Sequence, residues 1–231
     1  INHGVGAAIR GDTEVLGGSA SVTLLNTHHH GDHTGGNASF ADVPSYAHTN
    51  AKPRIEAQLE RYRRGGASAD GSGTPLENLA PMVRRASSAW TAGLFTPEHL
   101  IGDDGTELTI GKRRVEISHF GAGHTDNDLV AMIPSLNLMH TGDLVFSGLH
   151  SFYDPNGGYS ARGWIESLEQ TLALCDSETV VIPGHGEVGD RPLLPPALRY
   201  PSTLIQTVHP AISTGTQQYN PPHTPRAIRE G

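Results

Sequence analysis

Thr27-His28-His29-His30-Gly31-Asp32-His33, directly after the apolar run Val22-Thr23-Leu24-Leu25, is the stretch on which the reading of this chain turns. In an extended segment side chains alternate, so His28 and His30 project to the same side and can grip one metal ion, with His29 turned away. Gly31 then lets the backbone turn, which brings Asp32 and His33 toward a second ion beside the first. Imidazoles and a carboxylate packed this densely suit metal ligation, and a surface strand gains nothing from them.

Three later segments have the same character. Gly121-Ala122-Gly123-His124-Thr125 follows the alternating stretch Val115-Glu116-Ile117-Ser118-His119-Phe120. Met139-His140-Thr141-Gly142-Asp143 follows Leu136-Asn137-Leu138, and Val180-Val181-Ile182-Pro183-Gly184-His185-Gly186 closes a continuous apolar run. Each sets a His or Asp beside a glycine at the carboxyl end of an expected strand. Open α/β sheets gather their ligands there, and loops on a rigid scaffold can converge on one point.

Taken in order, H-x-H-x-D-H, G-H-T, T-G-D and P-G-H-G resemble the metallo-β-lactamase fold superfamily, from about Val22 to about Val188. The resemblance implies an α/β protein built as a four-layer αβ/βα sandwich in a single domain. It further implies that His28, His30 and His124 hold a first metal, that Asp32, His33 and His185 hold a second, and that Asp143 bridges the two. The implied cofactor is a pair of Zn2+ ions, and the same imidazole and carboxylate donors also suit iron or manganese. Gly123–Asp128 followed by Thr141–Phe146, with the later Phe152-Tyr153-Asp154 and Gly157-Gly158, is similar to an uncharacterised bacterial hydrolase branch. Class B β-lactamases often carry Cys or Ser where this chain has Asp143, which is more similar to glyoxalase II, lactonase and ribonuclease Z members.

The implied activity is metal-dependent hydrolysis. Two divalent ions roughly 3.5–4 Å apart can share a hydroxide that attacks a carbonyl centre. The substrate set is a β-lactam, a lactone or another ester, amide or thioester. Asp32, besides ligating, can guide a proton. Three alternatives stand beside this one: an iron-containing, dioxygenase-like redox enzyme in the same cage, a phosphodiesterase, and a non-catalytic binding module. The last is set against the presence of all seven ligand-type residues.

Composition narrows the partners. The chain has 231 residues, long enough for a sizeable core, and its 28 glycines and 16 prolines describe a loop-rich protein. A formal net charge of −8 opposes contact with a phosphate backbone, so a small-molecule substrate is expected and nucleic acid is not. No run of about 18 apolar residues exists to span a membrane. Cys175 is the only cysteine and lies on a helical apolar face with Trp164, Ile165, Leu168 and Leu172, as a structural thiol would. Ile1 opens the chain without an initiator methionine or a visible signal segment, as a processed or trimmed start would; the bacterial periplasm, with its signal removed, and the cytoplasm both fit.

Residues 1–190 are expected to form the hydrolase domain, with 51–100 a helical and loop insertion walling the active site and 191–231 a proline-rich tail. Gly4–Leu16 reads as a hairpin turning at Gly11-Asp12, and a strand and helix are expected to be missing between Leu16 and Ser21. Ala51–Arg64 reads as a helix with Ile55, Leu59 and Tyr62 on one face, and Leu76 to about Leu94 as a second. Arg61, Arg63, Arg64, Arg84 and Arg85 read as a solvated face. His150, Phe152 and Tyr153 are expected to line the substrate pocket, and Asp126 or Asp128 to orient a ligand imidazole. His119 and His140 read as hydrogen-bonded interior residues, and His3, His48, His99, His209 and His223 as surface residues.

Overall fold

The computed structural model describes residues 3–17, 22–63, 96–199 and 201–202. Helix α1 (His3–Gly17) leads to strand β1 (Leu24–Leu25) and a short helix α2 (Gly31–Thr34). Strand β2 (Ser45–His48), helix α3 (Ala51–Arg63) and strand β3 (His99–Ile101) follow. A meander of β4 (Thr106–Ile110), β5 (Arg113–Ser118), β6 (Val130–Ile133) and β7 (Leu138–Phe146) then leads through helix α4 (Ala161–Ala173) to β8 (Val180–His185) and β9 (Gly189–Asp190). Strands β1-β2-β3 form a parallel sheet, and β4 to β9 form a mixed sheet in chain order. Within it β7 and β8 are parallel, as the crossover through α4 requires.

Three apolar clusters show how the layers stack. Ala47, Ala51 and Ile55 join β2 to α3. Ile101, Val115, Ile117 and Leu129, with Leu25 and Tyr46 against them, fill the space between the two sheets. Val130, Met139, Leu144, Val145, Trp164, Leu168 and Leu194 pack the second sheet against α4. Helix, sheet, sheet and helix therefore follow one another as an αβ/βα sandwich in one domain. The alternation of β5 explains its place: Val115 and Ile117 point into the inter-sheet core while Arg114 and Glu116 project from the opposite face.

Trp164 is the largest side chain in this core, 2% exposed, and its Nε1–H donates to the Leu144 carbonyl at 2.9 Å. Tyr159, Tyr153 and His124 surround its ring at centroid distances of 5.8, 6.1 and 5.3 Å. Trp164→Ala is expected to cost about 3–5 kcal/mol in urea unfolding. A loss below about 1 kcal/mol would show that the cluster does not anchor α4.

Several expectations are corrected. Gly4–Leu16 is not a hairpin; it lies within α1. Its helical face is set by tertiary contacts: a Cβ on Gly6 would stand 2.7 Å from Gly36 Cα, so the helix approaches the 36–40 turn on bare backbone. Arg10 then reaches Asp42 at 2.9 and 3.1 Å and Glu14 at 2.9 Å. A period of two through Val5, Ala7 and Ile9 competed with this spacing and carried no sign of the glycine contact. The strand and helix expected to be missing between Leu16 and Ser21 fall at residues 18–21, outside the described residues, and α1 stands directly before them. His48 is not a surface residue; at 1% exposed it is buried where β2 meets the second sheet.

The helix expected over Ala51–Arg64 is α3, with Ile55 buried. The side chains of His3, Leu59, Arg61, Tyr62 and Arg63 lie outside the described residues, as do Arg64, Arg84, Arg85, the helix expected over 76–94, His209 and His223. The core runs past Asp190, for Leu194 is fully buried and Leu193, Ala197 and Leu198 pack beside it. Cys175 is half-buried, its Sγ 3.4 Å from the Thr171 carbonyl, and burial pushes its thiol pKa up. Among the described residues no helix is long and apolar enough to cross a membrane.

Candidate metal centre

The ends of β1, β7 and β8 and the loop after β5 meet at one edge of the sandwich. The strand before the histidine run is short: after Leu25 the chain bends, His30 stands extended as the N-cap of α2, and Asp32 and His33 project from that helical turn. Gly31 is an ordinary first helical residue without positive φ, so the start of α2 makes the turn and no glycine-only conformation is needed. A reciprocal amide pair anchors the segment from below, Asn26 Nδ2 to Asn37 Oδ1 at 3.0 Å and Asn37 Nδ2 to Asn26 Oδ1 at 2.8 Å, both residues buried.

Asp143 lies inside β7, at an irregularity in its register with β8. Gly142 there adopts φ +53, and a Cβ on it would meet the Thr27 side chain at 2.7 Å. A bulge of this kind re-aims the next side chain, here toward the histidines. His185 is the last residue of β8. His124 follows β5 by a loop that Asp128 organises, accepting from Thr125 N at 2.8 Å and Thr125 Oγ1 at 2.6 Å. Burial raises the Asp128 carboxyl to about 7, against the pull of those Thr125 hydrogen bonds.

Two groups of donor atoms result, each within 4.8 Å of one another: His28, His30, His124 and Asp143 in the first, Asp32, His33 and His185 in the second. In the first, His30 Nδ1 lies 2.9 Å from His28 Nε2 and 3.1 Å from His124 Nε2. Asp143 Oδ2 is 3.3 Å from His124 Nε2 and 3.7 Å from His28 Nε2. In the second, Asp32 Oδ2 is 3.2 Å from His33 Nε2 and 3.1 Å from His185 Nε2. Asp143 faces this group too, Oδ1 at 3.2 Å from His33 Nε2 and Oδ2 at 3.4 Å from His185 Nε2. All seven residues expected as ligands therefore converge, with Asp143 common to both sets.

The donors fit cations. Three ring nitrogens aimed at one another within about 3 Å cannot all be satisfied by the protons they carry, because each neutral ring has one N–H and one lone pair. His33 Nε2 and Asp143 Oδ1 are buried and face one another at 3.2 Å without hydrogen-bond geometry, so neither is satisfied by a neutral partner. Such groups are costly to bury unless a positive charge compensates them. The electrostatics agree. Burial drives His28 well below the ordinary imidazole range and His124 down to about 3, so both rings are neutral and each has one nitrogen lone pair to offer. Burial also opposes charge on His33, yet the carboxylates of Asp143 and Asp32 raise it to about 9. A proton there answers the same demand for positive charge that a metal ion would.

Two other groupings have similar spacing and a different explanation. Asn50 N–H donates to His48 Nδ1 at 3.3 Å, so His48 Nε2–H donates to Asp103 Oδ1 at 3.1 Å. His119, stacked on His48 at 4.1 Å, gives its Nδ1–H to the Asp128 carbonyl at 2.8 Å. His29 lies away from the two donor groups, its Nδ1 accepting from Asn127 Nδ2 at 2.9 Å. His140 Nδ1 accepts from Gly142 N at 3.1 Å. The contacts of His48, His119 and His29 staple separate segments together, and that of His140 stays within β7.

The residues expected around the ligands are distributed unevenly. Phe152 is half exposed with its ring 5.8 Å from that of His30, at the rim of the centre. His150 is exposed, and Tyr153 turns into the core against Tyr159 and Trp164. Asp126 is clamped by Arg54 of α3 through Nε at 2.8 Å and through Nη2. Asp128 is spent on the Thr125 turn. The carboxylate that does reach a ligand-type imidazole is Asp154, with Oδ2 3.1 Å from His30 Nε2. Its signal in the sequence was only its place, eleven residues after Asp143 in the loop behind an aromatic pair.

Residues 21–185 match the family model of the metallo-beta-lactamase superfamily. A metallo-beta-lactamase type 2 from Bacillus cereus is 28% identical over 171 residues, which cover 74% of this chain and 54% of that protein. The chain thus spans about half the length of that curated relative. An uncharacterised protein of Mycobacterium tuberculosis is 27% identical over 177 residues, 71% of this chain and 69% of that one. Among solved structures, a metallo beta lactamase from Hirschia baltica superposes with a TM-score of 0.62 at 16% identity, covering 87% of this chain and 77% of that one.

Proposed function

The chain belongs to the metallo-β-lactamase superfamily, and from that premise we propose that it is a zinc-dependent hydrolase of carbonyl compounds: a β-lactam, a lactone or another ester, amide or thioester. The observation that carries this reading is the convergence of seven donor side chains in two groups that share Asp143. His28, His30 and His124 would hold one zinc ion, Asp32, His33 and His185 a second, with Asp143 bridging. When bound, such a pair brings the pKa of a water toward about 7 and polarises a carbonyl oxygen.

The chain's own groups do the rest. The Asp143 carboxylate, 3% exposed, offsets the repulsion between two neighbouring cations. Asp32 is half exposed on the open side of the centre, so its carboxylate is placed to guide a proton as water adds to the carbonyl. Phe152, beside His30, offers an apolar wall against which a substrate can seat and from which water is excluded. The acidic surface and a metal cage open on one side favour a small molecule over a polyanion.

Purified protein is expected to contain about two zinc equivalents by elemental analysis. It should turn over at least one member of a panel of chromogenic esters, lactones and nitrocefin, and lose that activity in a chelator. Iron in place of zinc, with no hydrolysis of the panel, would favour the redox alternative, because the all-imidazole and carboxylate donor set suits iron as well.

A further inference from the structure

We propose that Asp154 is a positioning residue that commits His30 to present Nδ1, and not Nε2, to the metal centre. The inference rests on the metal-centre reading above. His30 is the one member of the first group that points its Nδ1 inward, toward Nε2 of both His28 and His124. A neutral imidazole by itself adopts either tautomer, and an exchange of the two nitrogens would turn an N–H into the centre in place of a lone pair. Asp154 Oδ2 stands 3.1 Å from His30 Nε2. An ionised carboxylate only accepts, so the ring proton must reside on Nε2 and the lone pair on Nδ1.

The carboxylate is itself held by its own turn. Asp154 Oδ1 accepts from Asn156 N at 3.0 Å, and the Asp154 carbonyl accepts from Gly157 N at 3.0 Å and Tyr159 N at 3.3 Å. Arg54 of α3 donates to the Asn156 carbonyl, which ties the turn to the helix. The fit is tight: a Cβ on Gly157 would lie 2.5 Å from Asp154 Oδ2 and 3.0 Å from His29 Cε1. His29 Nε2, 3.6 Å from the same oxygen, is too far to be its main partner. Capping the 155–157 turn requires one carboxylate oxygen, and that oxygen is Oδ1. The orientation of Oδ2 toward His30 is therefore surplus to the turn, and it is what a ligand-orienting partner requires.

The test is a competitive titration of the full chain with Zn(II) and Co(II) against a chromophoric chelator, on wild type, Asp154→Ala, Asp154→Asn and Gly157→Ala. Wild type should bind two equivalents. Each variant should bind one of the two about 10–100-fold more weakly, leave the other unchanged, and alter the visible Co(II) spectrum. Should Asp154→Ala fail to fold, the isosteric Asp154→Asn decides. Two wild-type affinities and a wild-type Co(II) spectrum in the variants would overturn the role of Asp154 while leaving the metal centre intact. Equal weakening of both equivalents, together with a lower melting temperature of the metal-free protein, would reduce Asp154 to a turn cap and likewise overturn it. A wild-type protein that binds neither ion would instead remove the metal-centre reading, and this inference with it.

Discussion

Asp143→Ala is expected to abolish hydrolysis, with a fall of at least about a thousandfold in kcat/KM and loss of bound metal on gel filtration. The size follows from what the carboxylate does. It is the one group common to both donor sets, with Oδ2 within 3.7 Å of His28, His124 and His185 and Oδ1 3.2 Å from His33. Two like-charged ions held close together need an anion between them, and no other carboxylate reaches both donor sets among the described residues. Removing a single preorganised charge-stabilising group from an active site already costs about 10²–10³ in rate, and in the proposed centre this change would also take a ligand from each ion. His124→Ala, which vacates only the first set, should lose metal and turnover as well. Full activity in both variants would defeat the metal mechanism outright.

A single methyl group at Gly184 should come close to the same outcome by a different route. Gly184 lies on β8 beside the irregular segment of β7, and its backbone φ is not of the left-handed kind. Alanine is therefore refused for lack of room: its Cβ would lie 1.9 Å from Asp143 Oδ1, 2.7 Å from Gly142 C and 2.8 Å from Asp143 N. Two of those atoms are backbone and cannot swing away, so β7 must shift and carry Asp143 with it. Overpacking of this kind costs about 1–3 kcal/mol, and a displacement near 1 Å at a reacting centre costs about a hundredfold in rate. Gly184→Ala is thus expected to cut kcat/KM about a hundredfold or more and to weaken metal binding. Gly102→Ala, where a Cβ meets nothing within 4 Å, serves as the control and should leave both unchanged. Wild-type turnover in Gly184→Ala would mean that the position of Asp143 is not critical.

Legibility of the site in the sequence followed the range of the interactions involved. Four of the seven donor residues lie within six positions, so their proximity is guaranteed by the chain itself whatever the rest of the fold does. His124, Asp143 and His185 were readable because each stands next to a glycine after an apolar run, and parallel and mixed sheets bring such loops to one edge. The helical face of α4 and the inward alternation of β5 were readable for the same local reason.

What escaped depended on contacts between distant segments. Helix α1 packs on the 36–40 turn where Gly6 meets Gly36, thirty positions away, a contact that no local period records. The burial of His48 turns on its stacking with His119 and its hydrogen bond to Asp103. Asp126 and Asp128 stood nearest in sequence to a ligand, yet Arg54 and Thr125 occupy them. Asp154, 124 positions from His30, is the carboxylate that reaches a ring.

The amino-acid sequence by itself determined the family, the layered α/β architecture and which side chains could serve as donors, because residue type, period and local glycine placement carry that information. Only the tertiary structure decided which ring nitrogen each histidine turns inward and which carboxylate holds it there. Those choices are made by hydrogen bonds and steric limits between segments that the chain order leaves far apart.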